Sequence, residues 1–208
     1  MDIQFYGANC LVFSTKGVRV VIDDNLADLG GKSVTKPGDI VIFTGAHGDP
    51  KVETKITVDG PGEYEVSDVS IYGIPARAHM DEAGAHTATM YKVLTKDLSI
   101  FIPGHVYPDL SDDQLESIGM VDVMAIPVGG SGYTLDAIGA LKLIKKIEPK
   151  LIIPTHFDAK GLNYPVPQQD LQHVLHEISM EPKETTAKLR LKSSELPDVT
   201  QLVVLERS

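Results

Sequence analysis

The pattern of apolar runs changes midway along the chain, and this change restricts the fold more than any other feature. Residues 1–75 read as short strands separated by turns. Cys10-Leu11-Val12-Phe13 is one run, Lys16-Gly17 turns, and Val18-Arg19-Val20-Val21-Ile22 is the next. Lys36-Pro37-Gly38-Asp39 is a turn by composition, and Ile40-Val41-Ile42-Phe43 follows it. Lys55-Ile56-Thr57-Val58 closes at Asp59-Gly60-Pro61-Gly62. Tyr64-Glu65-Val66 and the run over 69–74 alternate as half-buried strands do. Runs over 88–94 and 98–102 predict a hairpin across Thr95-Lys96-Asp97.

The second half alternates helix and strand. Ser111 followed by Asp112 and Asp113 marks a helix start. Val121-Asp122-Val123-Met124-Ala125-Ile126 reads as a buried strand. Thr134 is expected to cap a helix running to about Ile147, with Leu135, Ile138, Leu141, Leu143, Ile144 and Ile147 on its inner side. Leu151-Ile152-Ile153-Pro154 is a strand delivering Thr155-His156, a helix is expected over 168–179, and a strand over 201–205 closes the chain. Strands first and helix–strand units later predict two sheets with helices packed outside, an α/β sandwich forming one domain over 1–208.

With 208 residues, 42 % of them hydrophobic and 23 % charged, the chain can bury a large core. Its formal net charge of -10 repels phosphate backbones, so no nucleic-acid partner is expected. No apolar run approaches about 18 residues, so no membrane span is expected. The single Cys10 leaves no internal disulfide and fits a reducing compartment; it reads as a small buried residue. Met1-Asp2-Ile3-Gln4-Phe5 lacks the basic-then-apolar order of a signal peptide, and a cytoplasmic location is expected.

Four histidines stand immediately after apolar strands: His47, His79, His105 and His156. Strand ends on one rim of a sandwich bring distant residues together, which is how a scaffold builds a metal site. His86, His173 and His176 have no such placement, and the last two suit the solvated side of a helix.

The chain resembles the metallo-β-lactamase superfamily, in the branch similar to L-ascorbate-6-phosphate lactonase. The resemblance rests on Phe5-Tyr6-Gly7-Ala8-Asn9-Cys10, Val20-Val21-Ile22-Asp23 and Gly60-Pro61-Gly62-Glu63-Tyr64-Glu65-Val66. It continues through Pro127-Val128-Gly129-Gly130, Tyr133-Thr134-Leu135-Asp136-Ala137 and Pro149-Lys150-Leu151-Ile152-Ile153-Pro154-Thr155-His156. It implies a four-layer αββα sandwich. It also implies that His47 and His79 are ligands of a first zinc, and Asp49 and His156 of a second. The chain departs from the pattern in Thr44-Gly45-Ala46-His47-Gly48-Asp49-Pro50, where Gly45 and Pro50 stand for two loop histidines. Ala8 stands where the branch usually has a His, and His105 replaces the carboxylate that bridges two metals.

A neutral imidazole cannot bridge two dications as a carboxylate does. The departures therefore imply at most one ion, zinc or manganese, on His47, His79 and His105, with Asp49 orienting water or accepting its proton. Two readings stand side by side: a hydrolase of the lactone, ester or phosphodiester class, or a metal-free, non-catalytic protein that binds a ligand or partner. Gly129, Gly130 and Gly132 before a helix permit a tight turn or hold an anion. A small-molecule ligand, anionic in the second case, is expected. Asp136 reads as complementing the helix dipole, Glu63 as a turn acceptor. The branch resemblance implies a homo-oligomer.

Overall fold

A computed structural model describes residues 1–45 and 48–208. Fourteen strands, named β1–β14, three α-helices, α1–α3, and two 3₁₀ turns make up the described fold. The first sheet is built from β1 (Asp2–Gly7), β2 (Cys10–Thr15), β3 (Val18–Ile22), β4 (Ile40–Ile42), β5 (Ile56–Val58) and β13 (Leu189–Arg190), in the order β13-β1-β2-β3-β4-β5. The second contains β6 (Gly62–Val66), β7 (Val69–Ala76), β8 (Ala88–Leu94), β9 (Ser99–Ile102), β10 (Val123–Pro127), β11 (Leu151–Thr155), β12 (Glu184–Thr186) and β14 (Gln201–Leu205). Its order is β12-β14-β11-β10-β9-β8-β7-β6. The helices are α1 (Asp112–Ile118), α2 (Ala137–Ile147) and α3 (Leu171–Glu177).

The predicted sandwich is what the chain forms. Alternate residues divide between its layers, because successive strand side chains point to opposite faces. Leu11, Phe13, Val20, Ile22, Ile40 and Ile42 face Ile100, Ile102, Val123, Ala125, Leu151 and Ile153 in the core between the sheets. Phe101, Met124, Ile126 and Ile152 point the other way, against Leu135, Ala140, Leu143, Ile144, Val174 and Leu175. Covering on both faces explains why the central strands read as unbroken apolar runs. Over the first sheet the outer layer is thinner. Cys10, Val12, Val21 and Val41 are covered by the Leu26–Leu29 3₁₀ turn, Ala159 and Leu162.

Three helix expectations are corrected. Asp136, not Thr134, caps α2: its carboxylate accepts from the Gly139 N–H at 2.8 Å. Thr134 is wholly buried two residues earlier, its hydroxyl without a partner among the described residues. Ile138 lies 78 % exposed, so the inner side of α2 is Ala140, Leu143 and Ile144, with Leu141 and Ile147 packed at its edge. The helix expected over 168–179 is shorter, because Asp170 caps it through the Gln172 and His173 N–H groups, leaving Gln168 in the preceding loop. Ser111 caps α1 in a capping box with Gln114, as its sequence predicts. Glu63 lies inside β6 and is exposed rather than sitting in a turn. No described helix is long and apolar enough to cross a membrane.

Candidate active site

In both sheets the chain leaves parallel strands at one rim. Asp23 follows β3, Thr44 follows β4, His105 follows β9 and His156 follows β11 directly. Open parallel sheets bind ligands at such carboxyl ends. A cavity of about 440 Å³ opens there, lined by Asn9, Asp23, Thr44, His105, Tyr133 and His156 at its floor. Asp24, Asp28, Asp49 and Lys51 contribute to its walls.

The floor is organised around one buried carboxylate. Asp23 accepts from the Thr44 N–H at 2.7 Å and the Thr44 hydroxyl at 2.6 Å, and Asn9 is a third donor. Burial opposes its charge more than these bonds favour it, so its pKa is pushed up to about 6. The Asn9 amide is fixed from its other end, where Oδ1 accepts from the Thr155 hydroxyl at 2.9 Å. Its Nδ2 therefore faces His105 Nε2, 3.2 Å away. The Nε2 accepts, so the His105 proton sits on Nδ1, which is buried without a partner among the described residues. Burial, then the neighbouring His156 and His79, push the His105 pKa down to about 3, so it is neutral at physiological pH.

His156 is held more tightly still. Its backbone adopts a left-handed conformation with φ 54, and its N–H donates to the Ala8 carbonyl at 2.7 Å. Non-glycine residues in this region are uncommon and cluster at functional sites. Gln168 donates from Nε2 to the Val166 carbonyl at 2.8 Å, which leaves Oε1 facing His156 Nδ1 at 2.9 Å. Nδ1 therefore carries the proton and Nε2 keeps its lone pair. Burial lowers the pKa of His156 despite the opposing Gln168 bond. Its ring meets that of His105 edge-on, with centroids 4.5 Å apart, and Tyr133 completes the group 4.9 Å from His105 and 5.9 Å from His156.

The structure thus brings His105 and His156 together. His79 is joined to His105 through its backbone, its N–H donating to the His105 carbonyl at 2.7 Å. Its ring packs against Tyr107, and it is not among the cavity's lining residues. Asp49 stands at the mouth, its side chain 84 % exposed and paired with Lys51 at 2.8 Å. His47 lies outside the described residues. His86, His173 and His176 are exposed. Five further residues, Asn9, Asp23, Thr44, Tyr133 and Gln168, complete the site without having been singled out from sequence for chemistry. Asp23 left one signal, a carboxylate ending an apolar run.

Among the described residues no three His, Cys, Asp or Glu side chains converge as a metal cluster. The His105 Nε2 takes an amide donor, and the buried carboxylate of Asp23 takes three donors from Thr44 and Asn9. His156 offers a free Nε2, and His105 offers its own once the Asn9 amide turns to Asp23 alone. His47, the remaining loop candidate by sequence, lies outside the described residues.

Comparison with known proteins agrees with this architecture. A UPF0173 metal-dependent hydrolase of Salinibacter ruber is 24 % identical, covering 76 % of this chain and 85 % of its own length. A structure from Thermotoga maritima, named as a Zn-dependent hydrolase of the metallo-β-lactamase superfamily, superposes with a TM-score of 0.77 at 23 % identity, covering 99 % of both chains. Igni18, a metallo hydrolase of Ignicoccus hospitalis, gives 0.63 at 16 % identity, covering 100 % of this chain and 95 % of its own. At such identities the structural likeness speaks for the fold alone. The family model described as a β-lactamase superfamily domain matches residues 2–156, and the chain therefore belongs to the metallo-β-lactamase superfamily.

Proposed function

We propose that the protein is a metal-dependent hydrolase whose site is reduced to a single ion. The observation that carries this is the pair His105 and His156, delivered from two strand ends, with the His156 Nε2 lone pair set free by Gln168. His156, His105 and His47 would hold the ion, zinc or manganese, which when bound would supply Lewis acidity towards an ester, lactone or phosphodiester. The chain's own residues do the rest. Gln168 fixes the His156 ring and its tautomer, as outer partners of ligating histidines do. Tyr133 closes the floor beside both imidazoles. Asp49, exposed at the mouth, would receive a proton and pass it to solvent.

Metal content and turnover test this together. Protein supplemented with zinc or manganese should retain close to one ion per chain by mass spectrometry. It should also turn over part of a lactone, ester and phosphodiester panel. His156→Ala should lower that rate by roughly 100-fold or more, the scale of a lost acid–base or ligand group. A chain with neither metal nor turnover sinks the proposal.

The second reading, a metal-free ligand-binding protein, is favoured by one contact: the Asn9 amide on His105 Nε2 competes for the lone pair an ion would use. Asn9→Ala separates the two readings. If the site is a metal site, removing the competitor should tighten zinc about tenfold in equilibrium dialysis, the worth of one hydrogen bond near 1.4 kcal/mol. Unchanged, negligible zinc binding in both proteins would favour the metal-free reading.

A further inference from the structure

We propose that Tyr164 is a positioning residue for His156: its hydroxyl locks the backbone that presents the imidazole to the cavity. The use to which His156 is put rests on the hydrolase reading; the lock itself does not. Two non-glycine residues meet here in the left-handed region, Ala8 with φ 48 and His156 with φ 54. Such conformations are unfavourable for residues with a Cβ and persist only where the surroundings over-determine them. The His156 N–H donates to the Ala8 carbonyl at 2.7 Å. The Tyr164 hydroxyl closes the ring of bonds. It accepts from the Ala8 N–H at 3.2 Å and donates to the Phe157 carbonyl, also at 3.2 Å. One oxygen thus ties the first left-handed residue to the chain just beyond the second. Ala8 is buried, so losing that oxygen leaves its N–H without this acceptor and away from water.

Tyr164 acts through His156 and not on a ligand. Its ring stands 5.3 Å from that of His156, tilted by 56°, and it is not among the cavity's lining residues. Gln168, four residues on, holds the Nδ1 of the same imidazole. One loop therefore supplies both the bond that sets the ring and the bond that sets its backbone. The loop is itself pinned. The Asn163 N–H donates to the Leu29 carbonyl at 2.9 Å, and Arg207 Nη1 to the Lys160 carbonyl at 2.5 Å. Burial raises the Tyr164 pKa, which keeps the phenol protonated as its donor role requires.

Tyr164→Phe, read on metal-free protein by NMR, tests the proposal. Phenylalanine keeps the ring and its packing and removes only the hydroxyl. The His156 amide, whose own bond is to Ala8, should exchange about tenfold faster, the scale of one lost hydrogen bond. The His156 ring resonances should shift as the bond to Gln168 loosens. Tyr91→Phe is the control: it removes a hydroxyl that donates to the Gly60 carbonyl at 3.2 Å, outside this ring of bonds, and should leave both readouts unchanged. His156 signals unmoved by Tyr164→Phe, or moved equally by Tyr91→Phe, would overturn the proposal. So would equal acceleration throughout β7 and β8, which reports only a general loss of stability. Zinc dialysis then separates this proposal from the hydrolase reading. Tyr164→Phe should weaken zinc about tenfold, as loss of an outer partner of a ligating histidine does, and equal zinc affinity in parent and variant would overturn the proposal. A parent that binds no zinc, with the His156 amide result intact, would sink the hydrolase reading alone.

Discussion

Gly129→Ala should cost roughly 4 kcal/mol of stability and release His156 from its partner. A Cβ at Gly129 would lie 1.9 Å from Gln168 Oε1 and 2.1 Å from the His156 carbonyl oxygen. Neither neighbour can yield cheaply. The carbonyl belongs to a residue whose N–H is tied to Ala8, and the amide is the acceptor that sets the His156 tautomer. Overpacking alone costs about 1–3 kcal/mol, and a broken buried hydrogen bond adds about 1–3 kcal/mol. Gly132→Ala is the comparator. It meets nothing within 4 Å and has only its φ of 69 to object, so it should cost about 1 kcal/mol. Urea unfolding of both variants measures the difference. Equal losses would mean that the packing of Gly129 against the site is not as close as described.

The second large effect is a pH dependence carried by Asp23. Burial raises its pKa from 3.8 to about 6 in the folded chain, while the unfolded chain releases the proton near the lower value. Between these values the folded state binds more protons, so stability falls as pH rises. The contribution is fully present below pH 3.8 and lost above about pH 6. The span corresponds to on the order of 3 kcal/mol. Asp23→Asn removes the titration. The stability of the parent relative to that variant should therefore decline across this window and level off above it. Chemical denaturation at a series of pH values reads this directly, and a flat difference would contradict it. Exposed carboxylates held low by lysine, such as Asp109, slope the other way and cancel in the comparison.

The sequence discloses layers better than contacts. Unbroken runs such as Val20 to Ile22 and Ile152 to Ile153 announce strands covered on both faces, and all of these strands form. By contrast β12 and β13 are short and mostly exposed, so no periodicity marks them. The start of α2 is misplaced from sequence because Thr134 is itself a capping residue type; its tertiary burial leaves Asp136 to cap the helix. His105 and His156 were legible because each follows an apolar strand. Their partners were not. Asn9 reaches His105 across 96 positions and Thr155 across 146, and no local pattern encodes contacts of such span. Gln168 was hidden by its apparent place in a helix that begins only after Asp170.

The floor of the cavity is also the seam between the two sheets. Asn9, Asp23 and Thr44 come from the first sheet, and Thr155, His105 and His156 from the second. The Thr89 N–H, which donates to the Thr44 carbonyl at 3.1 Å, and the His156 N–H on Ala8 add backbone stitches across the same line. A ligand seated there touches both halves of the molecule at once. The stabilisation it confers, about 2.7 kcal/mol at a hundredfold excess over Kd, should therefore slow amide hydrogen exchange in β3 and β4 as well as in β9 and β11. Occupancy of a small pocket would be legible as a change in the breathing of the whole sandwich.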